Sequence, residues 1–326
     1  MSTGTHNHRP HLIADIGGTH ARFALCTSVH NIEKISVVAV LDFPTIAQAI
    51  SHYLHSVGNP PVSHAVIGIA NPVLGDHIKM TNFPWEFSIE ATRKALGFKK
   101  LHVINDFTAL ALSLPYVPQH ELRPVGSGQA VPGTPLGLLG PGTGLGVSAL
   151  IPGKNGTWTP LAAEGGHVSF APCDEREQLL WQQAHKEFGH VSMERLVSGA
   201  GLQFIYRTLC QLAQADAHDY SAADISQRAI ANSCPHCRNA LDTFCAILGT
   251  AASNLAVTLG ARGGIYIGGG IIPKLGDYFT TSPFRARFND KGRFSDYLAA
   301  IPVLVITSDN PALLGAAAHI DAYPDE

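Results

Sequence analysis

The sequence predicts an α/β protein of two lobes. Its 326 residues exceed what one hydrophobic core usually serves. The chain starts β-rich and then alternates strand-like apolar runs with helical stretches, the order of an α/β sheet. A strand, a small-residue turn and a returning strand occur twice. Gly17-Gly18-Thr19 through Phe23-Ala24-Leu25 is matched by Gly142-Thr143-Gly144 through Ser148-Ala149-Leu150.

In order, 11–16 reads as a strand, Gly17-Gly18 as a turn and 21–26 as the returning strand, with glycine tolerating the positive φ such a turn requires. Residues 62–70 and 101–105 are further buried strands, and 45–57 and 88–96 are helices. A helix over 108–114 follows. Pro115, Pro118, Pro124 and Pro132 punctuate the crossing to the second lobe, which places the boundary near 116. There 136–139, the turn 140–144 and 145–151 repeat the opening hairpin. Cys237, Leu241, Phe244, Leu248, Ala252, Leu255 and Leu259 recur at helical spacing on one buried face, and Gly263-Gly264 is read as the end of that helix. A strand over 265–268, a helical start at 271–275, a strand over 302–307 and a closing helix over 310–319, with Pro311 in its first turn, complete the chain.

Composition narrows the class. At 45% hydrophobic and 14% charged residues, a well-packed core is available and disorder is excluded. The formal charge is -3, and no Lys/Arg run tracks a phosphate backbone or an anionic membrane, so nucleic acid is not expected as a main partner. The polar stretch 1–10 is expected to be a disordered tail without a signal sequence, and the chain to stay in the cytoplasm. No membrane span is expected, since even the apolar run at 250–260 is broken by Thr, Ser and Asn. The six cysteines fit reduced thiols, and only Cys234 and Cys237 make a C-x-x-C.

Three glycine turns and a set of polar residues can carry chemistry. Gly17, Gly18 and Thr19 can bring backbone N–H groups and a hydroxyl to a phosphate, or simply close a hairpin. Gly140-Pro141-Gly142-Thr143-Gly144-Leu145-Gly146 holds more glycine than strand reversal requires. Gly268-Gly269-Gly270 leaves room for a flat adenosine or for close helix packing. None of the three has the P-loop or Rossmann spacing. Asp15 either holds water on a Mg²⁺ ion or caps its turn. Asn105 and Asp106 end a buried strand, where open α/β sheets place ligands, and either can cap the next helix. Glu164, His167 and Glu194 can bond ring hydroxyls; alternatively His167 is an interior histidine and Glu194 answers a helix macrodipole.

Together, Asp15-Ile16-Gly17-Gly18-Thr19, Asn105-Asp106-Phe107, the turn 140–146, Glu164-Gly165-Gly166-His167, Glu194-Arg195 and Gly268-Gly269-Gly270 resemble the bacterial glucokinase family. Met80-Thr81-Asn82 before Trp85, and Ser198-Gly199-Ala200-Gly201-Leu202, are similar to its pattern too. The resemblance covers about 11–320. It implies a two-lobed actin-like (ribonuclease H-like) sugar kinase fold, with 11–116 plus 308–326 as a smaller lobe, 117–307 as a larger one and a cleft between them. It implies Asp106 as catalytic base, with Asn82, Asn105, Glu164, His167 and Glu194 as glucose ligands. ATP phosphates then lie between Gly17, Gly18, Thr19 and Gly142, Thr143, Gly144, with adenosine near Gly268, Gly269 and Gly270 and Mg²⁺ by Asp15. It implies a homodimer as well.

In the related repressor and sugar kinase superfamily a zinc-binding cysteine cluster follows the Gly-His motif; here His167 is followed by a single Cys173, and no structural zinc is expected. Cys234 and Cys237 lack a matching second pair, and a plain helix start accounts for them better than a metal site does. No DNA-binding extension precedes residue 11, which counts against a repressor. The rivals that stay open are a kinase for another hexose or with polyphosphate as donor, a non-catalytic sensor on the same fold, and an actin-like or chaperone-type ATPase.

Overall fold

The computed structural model describes residues 9–81 and 83–322; Asn82 and residues 1–8 of the expected tail lie outside the described residues. In chain order come β1 (His11–Ile16), β2 (His20–Ser28), β3 (Asn31–Ala39), α1 (Ile46–Ser56), β4 (His64–Ile69), β5 (His77–Lys79), β6 (Glu86–Ser88), α2 (Ile89–Ala95), β7 (Lys100–Asn105) and α3 (Asp106–Ser113). Next are β8 (Leu122–Pro124), β9 (Leu136–Pro141), β10 (Leu145–Pro152), β11 (Trp158–Ala163), α4 (Glu175–Phe188), α5 (Met193–Leu196), α6 (Gly199–Leu212), α7 (Ala222–Ile230) and α8 (Pro235–Leu259). The chain ends through β12 (Gly264–Ile267), α9 (Asp277–Thr281), α10 (Phe284–Asn289), α11 (Ser295–Ala299), β13 (Val303–Ile306) and α12 (Pro311–Ala322). Two compact units result: one runs to Pro118 and resumes at Ser308, the other is Gln119–Thr307.

The first unit holds the sheet β3-β2-β1-β4-β7. β3, β2 and β1 are antiparallel, and β1, β4 and β7 are parallel. Leu12, Ala14 and Ile16 alternate into its core with Phe23, Ile50 and Ile67. Helix α3 packs on the sheet over Gly68, where a Cβ would stand in ordinary contact, 3.4 Å, with that of Ala109. Gly315 of α12 packs directly on the Ala109 carbonyl, where a Cβ could not fit. Gly315 thus sets how closely α12 approaches α3, the helix that Asp106 begins.

The second unit repeats the plan in the sheet β11-β10-β9-β12-β13-β8. An antiparallel trio is again followed by two parallel strands, with β8 added antiparallel at the edge. The expected hairpin repeat therefore extends to a five-strand topology. The edge strands β3 and β11 escaped the sequence reading because they are largely solvent-facing and carry little apolar alternation.

Helix α8 corrects two expectations. It stops at Gly260, not at Gly263-Gly264: Gly260 adopts φ 61° and its N–H bonds the Ala256 carbonyl, the usual left-handed stop. It is also, at 25 residues, long and apolar enough by length and composition to cross a membrane, which no segment was expected to approach. Its most apolar stretch is 72% buried inside the protein, as expected of a core helix that is apolar on most sides. The helical start expected at 271–275 is a single 3₁₀ turn, Ile272–Leu275, with Pro273 in it.

Candidate active site

In the first unit, parallel register brings three strand ends to one edge. Ile16 pairs with Ile69, and Ile69 with Asn105, so the turn after β1, Asn71 after β4 and Asp106 after β7 emerge side by side. Capping is settled by geometry: the Asn105 side-chain Oδ1 accepts from Phe107 N at 2.9 Å and Thr108 N at 3.1 Å. Asn105 is the cap, which removes capping as the reason for Asp106. One Asp106 oxygen does accept from Phe107 N at 2.9 Å, which orients the carboxylate at the strand end.

Sequence reasoning missed Asn71. Its Oδ1 accepts from Thr81 N at 3.2 Å and Thr81 Oγ1 at 2.5 Å, and its carbonyl lies 3.5 Å from Asn105 Nδ2. Asn71 thereby ties the Met80-Thr81 segment to the end of β7. Trp85 anchors the far side of that segment, donating Nε1–H to the Phe43 carbonyl at 2.8 Å. A polar residue closing an apolar strand, the signal that marked Asn105 and Asp106, was present after β4 too. Asn82 lies outside the described residues.

The β1–β2 turn is closed by Gly17 N–H on the His20 carbonyl at 3.0 Å, so the exposed Gly18 and Thr19 form its tip. Asp15 stands just before it. Burial pushes its carboxyl above the usual range, and Arg22, 3.4 Å away, opposes that shift. A carboxylate made costly by burial gains from a nearby dication, so Asp15 fits Mg²⁺ held through water. Among the described residues no group of three His, Cys, Asp or Glu forms a metal cage.

In the second unit the structure gathers the β9–β10 turn, Gly268-Gly269-Gly270, Glu164, His167 and Glu194. Glu194 Oε2 accepts Leu145 N–H at 2.8 Å, and a Cβ on Gly144 would strike the same carboxylate. Glu194 is thus fixed by the turn rather than by the four-residue α5. Gly166 packs on the Leu145 carbonyl, which sets the 3₁₀ turn Gly165–His167 against β10. Glu164 makes no side-chain cap there, and His167 is exposed, so it is not an interior histidine.

The glycines separate into two kinds. A Cβ on Gly140 would lie 2.5 Å from the Gly268 carbonyl carbon, and Gly269, at φ 77°, packs equally close on Pro141. Those two are demanded by packing. A Cβ on Gly142 would meet only Gly270 N, at 3.8 Å, and one on Gly270 nothing within 4 Å. Bare backbone that packing does not require is the feature that fits a nucleotide from outside.

A family model described as Glucokinase matches residues 12–323. The chain belongs to the glucokinase family. It is 55% identical to the glucokinase of Chromobacterium violaceum over 320 residues, 98% of this chain and 92% of that one. It is 52% identical to the glucokinase of Neisseria gonorrhoeae over 322 residues, 98% of each chain. Among solved structures, a glucokinase from an Antarctic psychrotroph superposes with a TM-score of 0.87 at 37% identity, covering 96% of this chain and 99% of that one. The glucokinase of Balamuthia mandrillaris in complex with glucose superposes with a TM-score of 0.80 at 20% identity, covering 98% and 95%. The fold of this family member is accordingly the two-lobed actin-like ATPase fold of sugar kinases.

Proposed function

We propose that the chain is an ATP-dependent glucokinase that makes glucose 6-phosphate at the head of glycolysis. The observation that carries this reading is family membership over 12–323, with full-length relatives of that name above 50% identity. In the proposed reaction Asp106 accepts the proton of the sugar 6-hydroxyl as that oxygen attacks the γ-phosphoryl group in line. Its support is the position of Asp106 at a parallel strand end, where Asn105 already supplies the cap. Asn82, Asn105, Glu164, His167 and Glu194 hold the other hydroxyls. The turns at Gly17, Gly18, Thr19 and Gly142, Thr143, Gly144 hold the phosphates, and Gly268, Gly269 and Gly270 flank adenosine. Mg²⁺, held through water by Asp15, offsets phosphate charge when bound. Family resemblance also supports a cytoplasmic homodimer, which light scattering of the purified chain checks.

A coupled ADP-release assay with a hexose panel, run against ATP and polyphosphate, tests the reading. Turnover that needs both glucose and ATP is expected. Glucose-independent ADP release would favour a plain ATPase, and none at all a sensor. Asp106→Asn is expected to lower kcat by about 10² to 10⁴, roughly 3 to 5 kcal/mol of barrier, with glucose binding largely kept. Near-normal turnover in that variant would remove the base assignment.

A further inference from the structure

Outside the residues assigned to sugar and nucleotide, sulfur atoms gather at the start of α8. Cys234 is the N-cap, Pro235 follows it, and Cys237 N–H donates to Cys234 Sγ at 3.3 Å. A cysteine sulfur thus occupies the place that a Ser or Asp oxygen usually takes. That bond strengthens when the sulfur is a thiolate, and the N-terminus of a 25-residue helix favours the negative charge. Cys234 thus stands first in a C-x-x-C at a helix N-terminus, with the second cysteine one turn on and its N–H on the first sulfur.

The two sulfurs differ in a useful way. Cys234 is half-buried, while Cys237 is buried. Burial pushes the Cys237 thiol up to about 12, and its hydrogen bond with Cys234 adds to that. Cys237 is therefore protonated and shielded while both thiols are reduced, and its N–H already lies on the sulfur that its own would have to attack.

We infer that Cys234 and Cys237 form a reversible dithiol–disulfide couple that exchanges with low-molecular-weight disulfides. The Cys234 thiolate attacks one sulfur of RSSR, giving Cys234–S–S–R and releasing RS⁻. The released thiolate takes the Cys237 proton; the Cys237 sulfur then attacks that of Cys234 and displaces the second RS⁻, which takes up the proton Cys234 had lost. Two protein thiols are oxidised to one disulfide, and RSSR is reduced to two RSH. The link spans one helical turn at the N-terminus, so α8 stays in place. Exposed Cys173 supplies an internal reference thiol outside any C-x-x-C.

The test uses the full chain with oxidised glutathione near neutral pH, alkylation of remaining thiols, and peptide mass spectrometry. A Cys234–Cys237 linked peptide is expected, formed at least about tenfold faster than glutathione adds to Cys173. Cys237→Ala is expected to stall as the mixed disulfide on Cys234. Cys234→Ser, whose hydroxyl keeps the N-cap and so the fold, is expected to form neither product. Absence of the linked peptide in the wild-type chain, or reaction at Cys234 no faster than at Cys173, would overturn the inference. Neither readout depends on sugar turnover.

Discussion

The hairpins β1–β2 and β9–β10 share a construction and differ in surroundings. In each, the first glycine closes the turn through its N–H, Gly17 to His20 at 3.0 Å and Gly142 to Gly144 at 2.8 Å, and an exposed threonine stands near the tip. The first turn is open: a Cβ on Gly17 would meet only the His20 carbonyl, at 3.6 Å. The second is enclosed by Gly268 and Gly269, by Glu194, and by Gly199, whose N–H bonds the Gly142 carbonyl at 2.9 Å. Glycine content is therefore a poor measure of ligand binding. The informative glycines are those that packing leaves over.

Gly140→Ala should show the largest effect. Its new methyl group would meet backbone that cannot yield, and about 3 kcal/mol of stability should be lost in urea unfolding. An unchanged midpoint would remove the packing role. Gly142→Ala, two residues on, should leave the midpoint in place and raise the ATP KM about tenfold, roughly 1.4 kcal/mol. If neither changes, the leftover glycines are not a nucleotide site.

The next contrast lies at the opposite end of the first sheet. His11, His64 and His102 stand near His319 of α12, with His319 Nε2 and His102 Nδ1 3.3 Å apart. Burial, and then His102, lowers the His319 pKa to about 4; Lys100, Lys99 and Asp321 are the other charges there. Because the folded value lies below the ordinary one near 6.5, the unfolded chain takes the proton first as pH falls, and stability drops from about pH 6.5 toward 4. Hydrogen exchange should show first-unit peptides losing on the order of 1 kcal/mol at pH 5 relative to pH 7, and His319→Gln should reduce that loss. Equal losses in both units would break the contrast.

The smallest effect concerns the tie that Asn71 makes. Asn71→Ala releases Thr81, and the glucose KM should rise about threefold with kcat nearly unchanged, as for loss of a positioning hydrogen bond. An equal fall in kcat alone would place Asn71 in the chemistry instead.

Much of this was legible because it is local. Strand 11–16, the two glycine turns, and the placing of Asp15, Asn105 and Asp106 at strand ends follow from apolar runs and turn chemistry within a few residues. Other features were hidden for physical reasons. Edge strands β3 and β11 bury too little to show a period, and α8 runs through several candidate stops until Gly260 takes the left-handed conformation.

What the sequence determined by itself is the alternation of elements, the repeated hairpin, and a set of acids and glycines at the ends of strands. Only the tertiary structure decided what each is for. It assigned the cap to Asn105, set Glu194 on Leu145 across 49 residues of chain, and put Gly268 against Gly140 while leaving Gly142 and Gly270 uncovered. The reason is steric: whether a glycine or a carboxylate is already in use depends on atoms brought close from distant parts of the chain. No local pattern records them.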